Sequence, residues 1–553
     1  MPELSNQTRP WPMARTAILI AALVVLDASL AFKNVWPTPA IRWQGALSVE
    51  LAVCVLAMAL AYPRFGSLSR RTLTWLGAIW VTLVVVRYAD VTAPALYGRP
   101  VNLFWDMRHV SAVAAMLARV ASWRLVLLII AATILIPFVL YLVIRWALGR
   151  VSEAMSRRIE RQTLAALAVV VIVLFAVGRV YSESGFYDDE SALASAFPAP
   201  VTQSLLRQTR LLVTEMTGRS GTVLGQSPPM DVSLANVQGA DVLLIFIESY
   251  GAVSWEHADL AGPNAQARAN FENDIRETGR DVVSAFVESP TFGGNSWLAH
   301  ISLLTGLEIR DEDANVLLMR QKRETLISAF ALRGYRTLAM MPGLQQSWPE
   351  GIFYGFNAIY DGERLDYKGP PFGWWTIPDQ FVAARLDAAE IESRSRAPLF
   401  VFFPTTGTHT PFTPTAPYQP DWARMLTPHP YEQDELLHAW SQQPDWMNLG
   451  PSYARALAAT YRWIGGLLRK RADRDLVLIL IGDHQPPALV SGEGATWDVP
   501  VHVIANRTTR LAVLDALRSR GFRSGLAPQR PKLSRMHELV PTLLDAFSGT
   551  DRP

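Results

Sequence analysis

DVLLIFIES, from Asp241 to Ser249, is an apolar run that stops abruptly on a carboxylate and a hydroxyl. The run is short, and its lack of alternation predicts a strand covered on both sides. The same cadence returns in VVSAFV from Val282, YRTLAMM from Tyr335, PLFVFFP from Pro398, DLVLILI from Asp475 and VHVIA from Val501. Helical patterns separate these runs. Buried strands alternating with helices predict an α/β domain on a parallel sheet, beginning near Ala240. In such sheets ligands gather beyond the carboxyl ends of the strands.

Those ends are polar in a suggestive way. Glu248 and Ser249 close the first run; Thr405, Thr406, Thr408 and His409 follow the fourth; Gly482, Asp483 and His484 follow the fifth. Taken singly, each reads most simply as a cap or a turn residue. Together they bring carboxylates and imidazoles to one edge. That donor set suits one divalent metal ion, zinc or manganese, whereas magnesium favours oxygen ligands alone. GGNSWLAHISLLTG, residues 293–306, adds a hydroxyl. Ser296 is expected to open a helix whose apolar face carries Leu298, Ile301 and Leu304 or Thr305. As an N-cap it would satisfy free backbone amides. As a nucleophile it would use the same helix N-terminus to stabilise a phosphate and a developing alkoxide, with a divalent metal activating the hydroxyl further. The flanking glycines let a tetrahedral group approach closely.

Toward the N-terminus the composition changes. Of 553 residues, 50% are hydrophobic and only 18% charged, below the roughly 25% usual in soluble domains. Five apolar segments stand out, at 16–32, 46–62, 73–88, 125–148 and 164–181, each near the ~20 residues that cross a bilayer. Residues 1–182 are expected to form a five-helix transmembrane domain, 183–238 a juxtamembrane helix and linker, and 239–553 the extracytoplasmic catalytic domain. Asp27, inside the first span, would cost about 3 kcal/mol against lipid; it is expected to face the bundle or the outer interface. Arg9 and Arg15, then Arg64, Arg70 and Arg71, then Arg150, Arg157, Arg158 and Arg161 mark cytoplasmic ends by the positive-inside rule. The third connection is basic as well, at Arg99, Arg108, Arg119 and Arg124. An odd number of spans puts everything after Tyr181 on the periplasmic side of an inner membrane. Residues 106–121 and 196–213 read as amphipathic helices, either guiding lipid or forming collars on the bundle; 218–229 read as a linker. A net charge of +2 gives no pull toward nucleic acid. Cys54 is the only cysteine, which excludes an intramolecular disulfide and a multi-cysteine metal site.

The spacing from Ser296 to Leu303, Leu304, Thr305 and Gly306 resembles the sulfatase signature, in which a cysteine or serine stands ten residues before a glycine. IGDHQ around Asp483 is similar to that family's strand-end metal motif, and HELVPTLLDAF, residues 537–547, to its C-terminal helix. Five spans ahead of such a domain resemble lipoteichoic acid synthases and phosphoethanolamine transferases. The resemblance covers residues 239–548. It implies an alkaline-phosphatase-like (sulfatase) α/β fold, with metal ligands at Glu248, Ser296, Asp483 and His484. It makes Ser296 the nucleophile and gives His409, in THTPF, a substrate-binding or proton-transferring role. Leu298 and His300 stand where sulfatases carry the proline and arginine needed for formylglycine conversion. An unmodified serine attacking phosphorus is therefore expected. His300, one turn after Ser296, would reach the same phosphate or pack as an ordinary helix residue.

SWPEGIFYGFNAIYD from Ser347 resembles the lipoteichoic acid synthase segment that lines the headgroup pocket. Trp348 matches its tryptophan, and Glu350 stands in place of its arginine, which implies an ammonium headgroup. Trp374, Trp375 and Asp379 line the same cleft or belong to the core. The implied activity moves phosphoethanolamine or phosphoglycerol from a membrane phospholipid donor, through a phosphoserine, onto a glycan or lipid acceptor. A phosphodiesterase or sulfatase-like hydrolase would use water instead. A catalytically silent membrane scaffold would show a broken metal set.

Overall fold

A computed structural model describes residues 12–35, 38–43, 45–97, 101, 106–107, 110, 114, 123–183, 196–217, 224–344, 348, 351–373 and 375–549. They fall into two compact units, one of residues 1–95 and 100–219, the other of 96–99 and 220–553.

The first unit runs α1 (Pro12–Ala28), a small antiparallel hairpin of β1 (Phe32–Asn34) and β2 (Ile41–Trp43), α2 (Val49–Phe65), α3 (Arg70–Tyr97), α4 (Trp123–Ala154), α5 (Arg158–Glu183) and α6 (Val201–Thr217). All five apolar segments are helical. Among the described residues three helices are long and apolar enough to cross a membrane, over Arg70–Leu96, Trp123–Ala154 and Arg158–Arg179, which marks a membrane protein. The expectation of five spans narrows here. Both α1 and α2 have 17 residues, a length of about 26 Å against a hydrocarbon core near 30 Å. Asp27 is buried, as expected, and its carboxylate accepts from the Ser48 amide at 2.8 Å. Ser48 in turn caps α2 by accepting from the Leu51 amide. Most of the amphipathic segment 106–121 lies outside the described residues; that at 196–213 forms the approach to α6 and its first turns.

The second unit is built on a nine-stranded sheet. Its strands are β3 (Asp241–Ile247), β4 (Arg280–Glu288), β5 (Arg336–Met340), β6 (Ala358–Tyr360), β7 (Leu399–Pro404), β8 (Leu476–Gly482), β9 (Asp498–Asn506), β10 (Arg523–Ser524) and β11 (Ser534–Arg535), so every apolar run became a strand. The order is β10-β4-β9-β8-β3-β7-β5-β6, with β11 beside β4. From β6 to β8 the neighbours are parallel. The all-parallel expectation fails at β9, which runs antiparallel to both β8 and β4. Burial explains why the pattern hid this. Both β8 and β9 are covered on both faces, so either direction yields the same apolar run. The link from Gly482 to Asp498 also holds only a four-residue helix, without the longer crossover helix that usually carries a parallel return.

Helices cover the sheet on both sides. The relevant ones are α7 (Ala258–Glu277), α8 (Ser296–Thr305), α9 (Asp379–Leu386), α10 (Gly450–Lys470), α11 (Leu511–Ser519) and α12 (Leu539–Ser548). The alternation of β3 sorts them. Val242, Leu244 and Phe246 pack with Leu298 and Leu304 of α8 and Leu543 and Phe547 of α12. Leu243, Ile245 and Ile247 pack with Phe271 of α7 and Leu457 and Ile464 of α10. Sandwiched this way, the strand ends are held at one edge with little freedom to move.

Candidate metal and nucleophile site

The site sits where β3 and β8 end side by side. Ile247 pairs with Gly482 in register, so the next residues, Glu248 and Asp483, emerge together. The backbone then turns sharply: Ser249 adopts a left-handed φ of 56°, a conformation uncommon for a residue with a Cβ. What holds it there is Asp483, whose Oδ1 accepts from the Ser249 amide and from the His484 amide, both at 2.7 Å. Asp483 Oδ2 is buried with no hydrogen-bond partner.

Ser296 opens α8, but not as its cap. The N-cap is Asn295, with φ 59° and no side-chain cap bond. Gly293 and Gly294, at φ 63° and 150°, make the turn that precedes it; the second value is essentially restricted to glycine. Freed from capping, the Ser296 hydroxyl donates toward Glu248 Oε2 at 3.0 Å and lies 3.1 Å from His484 Nε2. His484 Nδ1 faces the Gln485 carbonyl at 2.7 Å. A carbonyl only accepts, so Nδ1 carries the proton and Nε2 presents its lone pair, the arrangement that orients a metal-binding histidine.

One ligand atom each from Glu248, Asp483 and His484 lies within 4.8 Å of the others. The chemistry of this set fits a divalent cation. Two carboxylates stand next to each other out of water, one oxygen of Asp483 lacks a partner, and an imidazole lone pair points among them. Burial pushes the Asp483 carboxyl well above its ordinary range, and the neighbouring Glu248 charge adds to that. Burial holds His484 below its ordinary value, so it is neutral, as a ligand must be. A cation of charge two would relieve the carboxylate repulsion directly.

The loop after β7 is bolted to the same place. Thr405 Oγ1 accepts from the Glu248 amide at 3.1 Å, and Thr408 Oγ1 donates to the Glu248 carbonyl. His409 follows. Its Nδ1 donates to the Thr410 carbonyl at 2.7 Å and its ring meets Trp375 edge-on at 6.0 Å. Asp379, the first residue of α9, clamps this loop. Its carboxylate accepts from the Thr406 and Gly407 amides, both at 2.8 Å. Burial pushes the Asp379 carboxyl up to about 6 against those hydrogen bonds. A Cβ on Gly407 would lie 2.7 Å from Asp379 Oδ2, so a side chain there would displace the clamping carboxylate.

The sulfatase family profile matches residues 241–548, more than half of the chain. The chain belongs to the sulfatase family. No curated protein matches it by sequence. Among solved structures, it is similar to an alkaline phosphatase superfamily protein from Vibrio parahaemolyticus at 15% identity and a TM-score of 0.37, covering 62% of this chain and 75% of that one. The C-terminal periplasmic domain of EcEptC from Escherichia coli gives 12% and 0.37, over 59% and 86%. Streptococcus pyogenes phosphoglycerol transferase GacH in complex with sn-glycerol-1-phosphate gives 14% and 0.34, over 63% and 91%.

Within this sulfatase-family domain, Glu248, Ser296, Asp483 and His484 converge, with His409 beside them. His300 sits one turn beyond Ser296, wedged between Phe246 and Phe402 with ring centroids 4.6 and 5.4 Å away and its Nε2 buried without a partner. Burial lowers its imidazole to about 3, so it offers a phosphate no positive charge. Trp348 packs on Tyr354 in the apolar layer; Glu350 and Trp374 lie outside the described residues. Asp379 is the residue whose role sequence reasoning missed. It was placed near the cleft, but its partners are 27 and 28 positions away, and no local spacing signals such a clamp.

Proposed function

We propose that this protein is a membrane-anchored phosphotransferase that moves a phospholipid headgroup, phosphoethanolamine or phosphoglycerol, onto an extracytoplasmic glycan or lipid. One observation carries the reading: the Ser296 hydroxyl leaves its helix uncapped and sits within 3.1 Å of both Glu248 and His484. A serine placed among buried metal-type ligands is a nucleophile, not a cap. With Leu298 and His300 in place of the sulfatase proline and arginine, it remains a serine, whose ester with phosphate can pass to a second alcohol.

Glu248, Ser296, Asp483 and His484 would hold one divalent ion, zinc or manganese. When bound, that ion supplies charge for the phosphate oxygens and lowers the cost of ionising the serine. The chain's own groups do the rest. Ser296 Oγ attacks phosphorus as its proton leaves toward Glu248, and the bond from phosphorus to the diacylglycerol oxygen breaks. His409 Nε2 gives that oxygen a proton, since Nδ1 is committed to the Thr410 carbonyl. In the second half the acceptor hydroxyl attacks phosphorus and returns a proton to His409, and Ser296 recovers its own. The amides opening α8 stabilise the phosphate in both halves. A phosphodiesterase would share every step with water as acceptor.

Catalysis outside the cytoplasm follows from the arginines. Arg64 precedes α3 and Arg70 and Arg71 open it, while Arg150 lies near the end of α4, Arg157 between α4 and α5, and Arg158 and Arg161 at the start of α5, so α3 and α5 are read as pointing outward. Three spans or five give the same parity. The test is mass spectrometry of the peptide containing Ser296 after incubation with phosphatidylethanolamine or phosphatidylglycerol. An added phosphoethanolamine or phosphoglycerol is expected; an unmodified serine in an enzyme that turns over would overturn the reading.

A further inference from the structure

A groove on the flank of the catalytic domain takes no part in the chemistry described above. Its walls are α7 and α10, its rim is residues 415–418 with the helix Gln433–Ser441, and it encloses about 1050 Å³. The helical repeat explains the lining. Gln266, Asn270 and Asn273 recur four and three residues apart along α7, so their amides form a ladder on one face. Arg455, Arg462 and Arg469 recur every seven residues along α10 and form the opposite ladder.

Formal charge decides what fits between them. Three acids, Asp274, Glu277 and Glu435, balance the three arginines, and Asp274 already pairs with Arg469. A lining that sums to zero exerts no long-range pull on a polyanion or an acidic headgroup. An acyl chain would cover the apolar part of the lining, at Ala267, Phe271, Pro417 and Ala459, but it would strip water from the amides and guanidinium groups beside them and give those no partner. A hydroxyl-rich, uncharged chain satisfies both conditions. Amides donate and accept side by side, guanidinium groups donate in pairs, and hydroxyls do both. Tyr418 adds an aromatic surface at the rim, steadied by the Arg462 guanidinium 4.8 Å from its ring centre.

The groove and the site draw on the same two segments of chain. Tyr453, in the first turn of α10, donates to the Ser249 carbonyl at 2.8 Å, next to Glu248. Two residues later Arg455 lines the groove. On the other side, the rim at Thr415 follows His409 by six residues.

We infer that this groove binds a neutral oligosaccharide. The inference rests on the transferase reading and names its acceptor as an uncharged glycan. The full-length, metal-loaded protein in detergent is titrated by calorimetry with maltohexaose, cellohexaose and laminarihexaose, and in parallel with dextran sulfate. Saturable binding of at least one neutral hexasaccharide is expected, retained in Ser296→Ala. The double variant Gln266→Ala/Asn270→Ala, which removes two exposed amides hydrogen-bonded to each other at 2.9 Å, should weaken it about tenfold. Ala459→Trp should block it. Unchanged melting temperatures show that both variants fold. Failure of all three hexasaccharides to bind, preference for dextran sulfate, or indifference to both variants overturns the groove. Hydrolysis of a small soluble phosphodiester by the same preparation reports on the nucleophile separately. Its absence would sink the catalytic reading and leave glycan binding standing.

Discussion

Replacing Asp379 with asparagine tests whether the clamp on the His409 loop serves catalysis or only folding. The carboxylate accepts two backbone amides at 2.8 Å and the Thr406 hydroxyl at 3.3 Å. Asparagine keeps one accepting oxygen and turns an amino group toward the other donor, so one of the two amide bonds is lost. Stability and activity should then part. The folded carboxyl titrates near 6 against 3.8 when unfolded. A raised acid binds its proton more tightly in the fold, so its contribution is full below pH ~4 and is lost as the pH rises through 6. That difference amounts to about 3 kcal/mol at neutral pH. Asparagine escapes the ionisation penalty, and the lost charge-assisted bond costs about 1.5–3 kcal/mol. The two nearly cancel, and the denaturant midpoint at pH 7 should barely move. Activity should not be spared. A loosened Thr406–Gly407 turn displaces His409, and misplacement of a catalytic group by about 1 Å costs roughly a hundredfold. We expect kcat on a soluble phosphodiester to fall by about that factor, with KM and metal affinity close to wild type. The wild-type profile should also lose activity below pH 6 as Asp379 protonates, a limb absent from the variant. Wild-type kcat in Asp379→Asn, or an activity loss matched by an equal loss of stability, would refute a positioning role.

Other outcomes follow from the same geometry. Ser296→Ala should abolish turnover while leaving folding and metal content largely intact, read by activity, melting and metal analysis. Chelation should stop turnover, with recovery on adding zinc or manganese and little with magnesium, because the ligand set includes an imidazole. Gly407→Ala places a Cβ against Asp379 Oδ2 and should cost activity at least as much as Asp379→Asn, measured as kcat. A periplasm-active reporter fused after Pro553 should be active, and one fused within residues 150–158 inactive; the reverse pattern would invert the membrane orientation.

Much of the site was legible because its signals are local. A strand that ends on Glu248, another that ends on Asp483 and His484, and a glycine pair before Ser296 each announce themselves within ten residues. Apolar runs of strand length mark a sheet covered on both faces whatever their partners, and the structure makes a strand of each. The direction of β9 was not legible, since burial on both faces erases the alternation that would report it. Nor was the true N-cap of α8: asparagine and serine both suit that position, and only the positive φ at Asn295 releases Ser296.

Sequence alone determined the six long strands and the polar residues that follow them, because periodicity and chain termination are short-range properties of the backbone. The tertiary structure decided distances. It paired Ile247 with Gly482 and so set two carboxylates side by side, brought Asp379 onto a turn far along the chain, and aligned α7 with α10 into a groove. Contacts between residues hundreds of positions apart depend on how layers pack, and packing is a property of the whole core rather than of any segment in it.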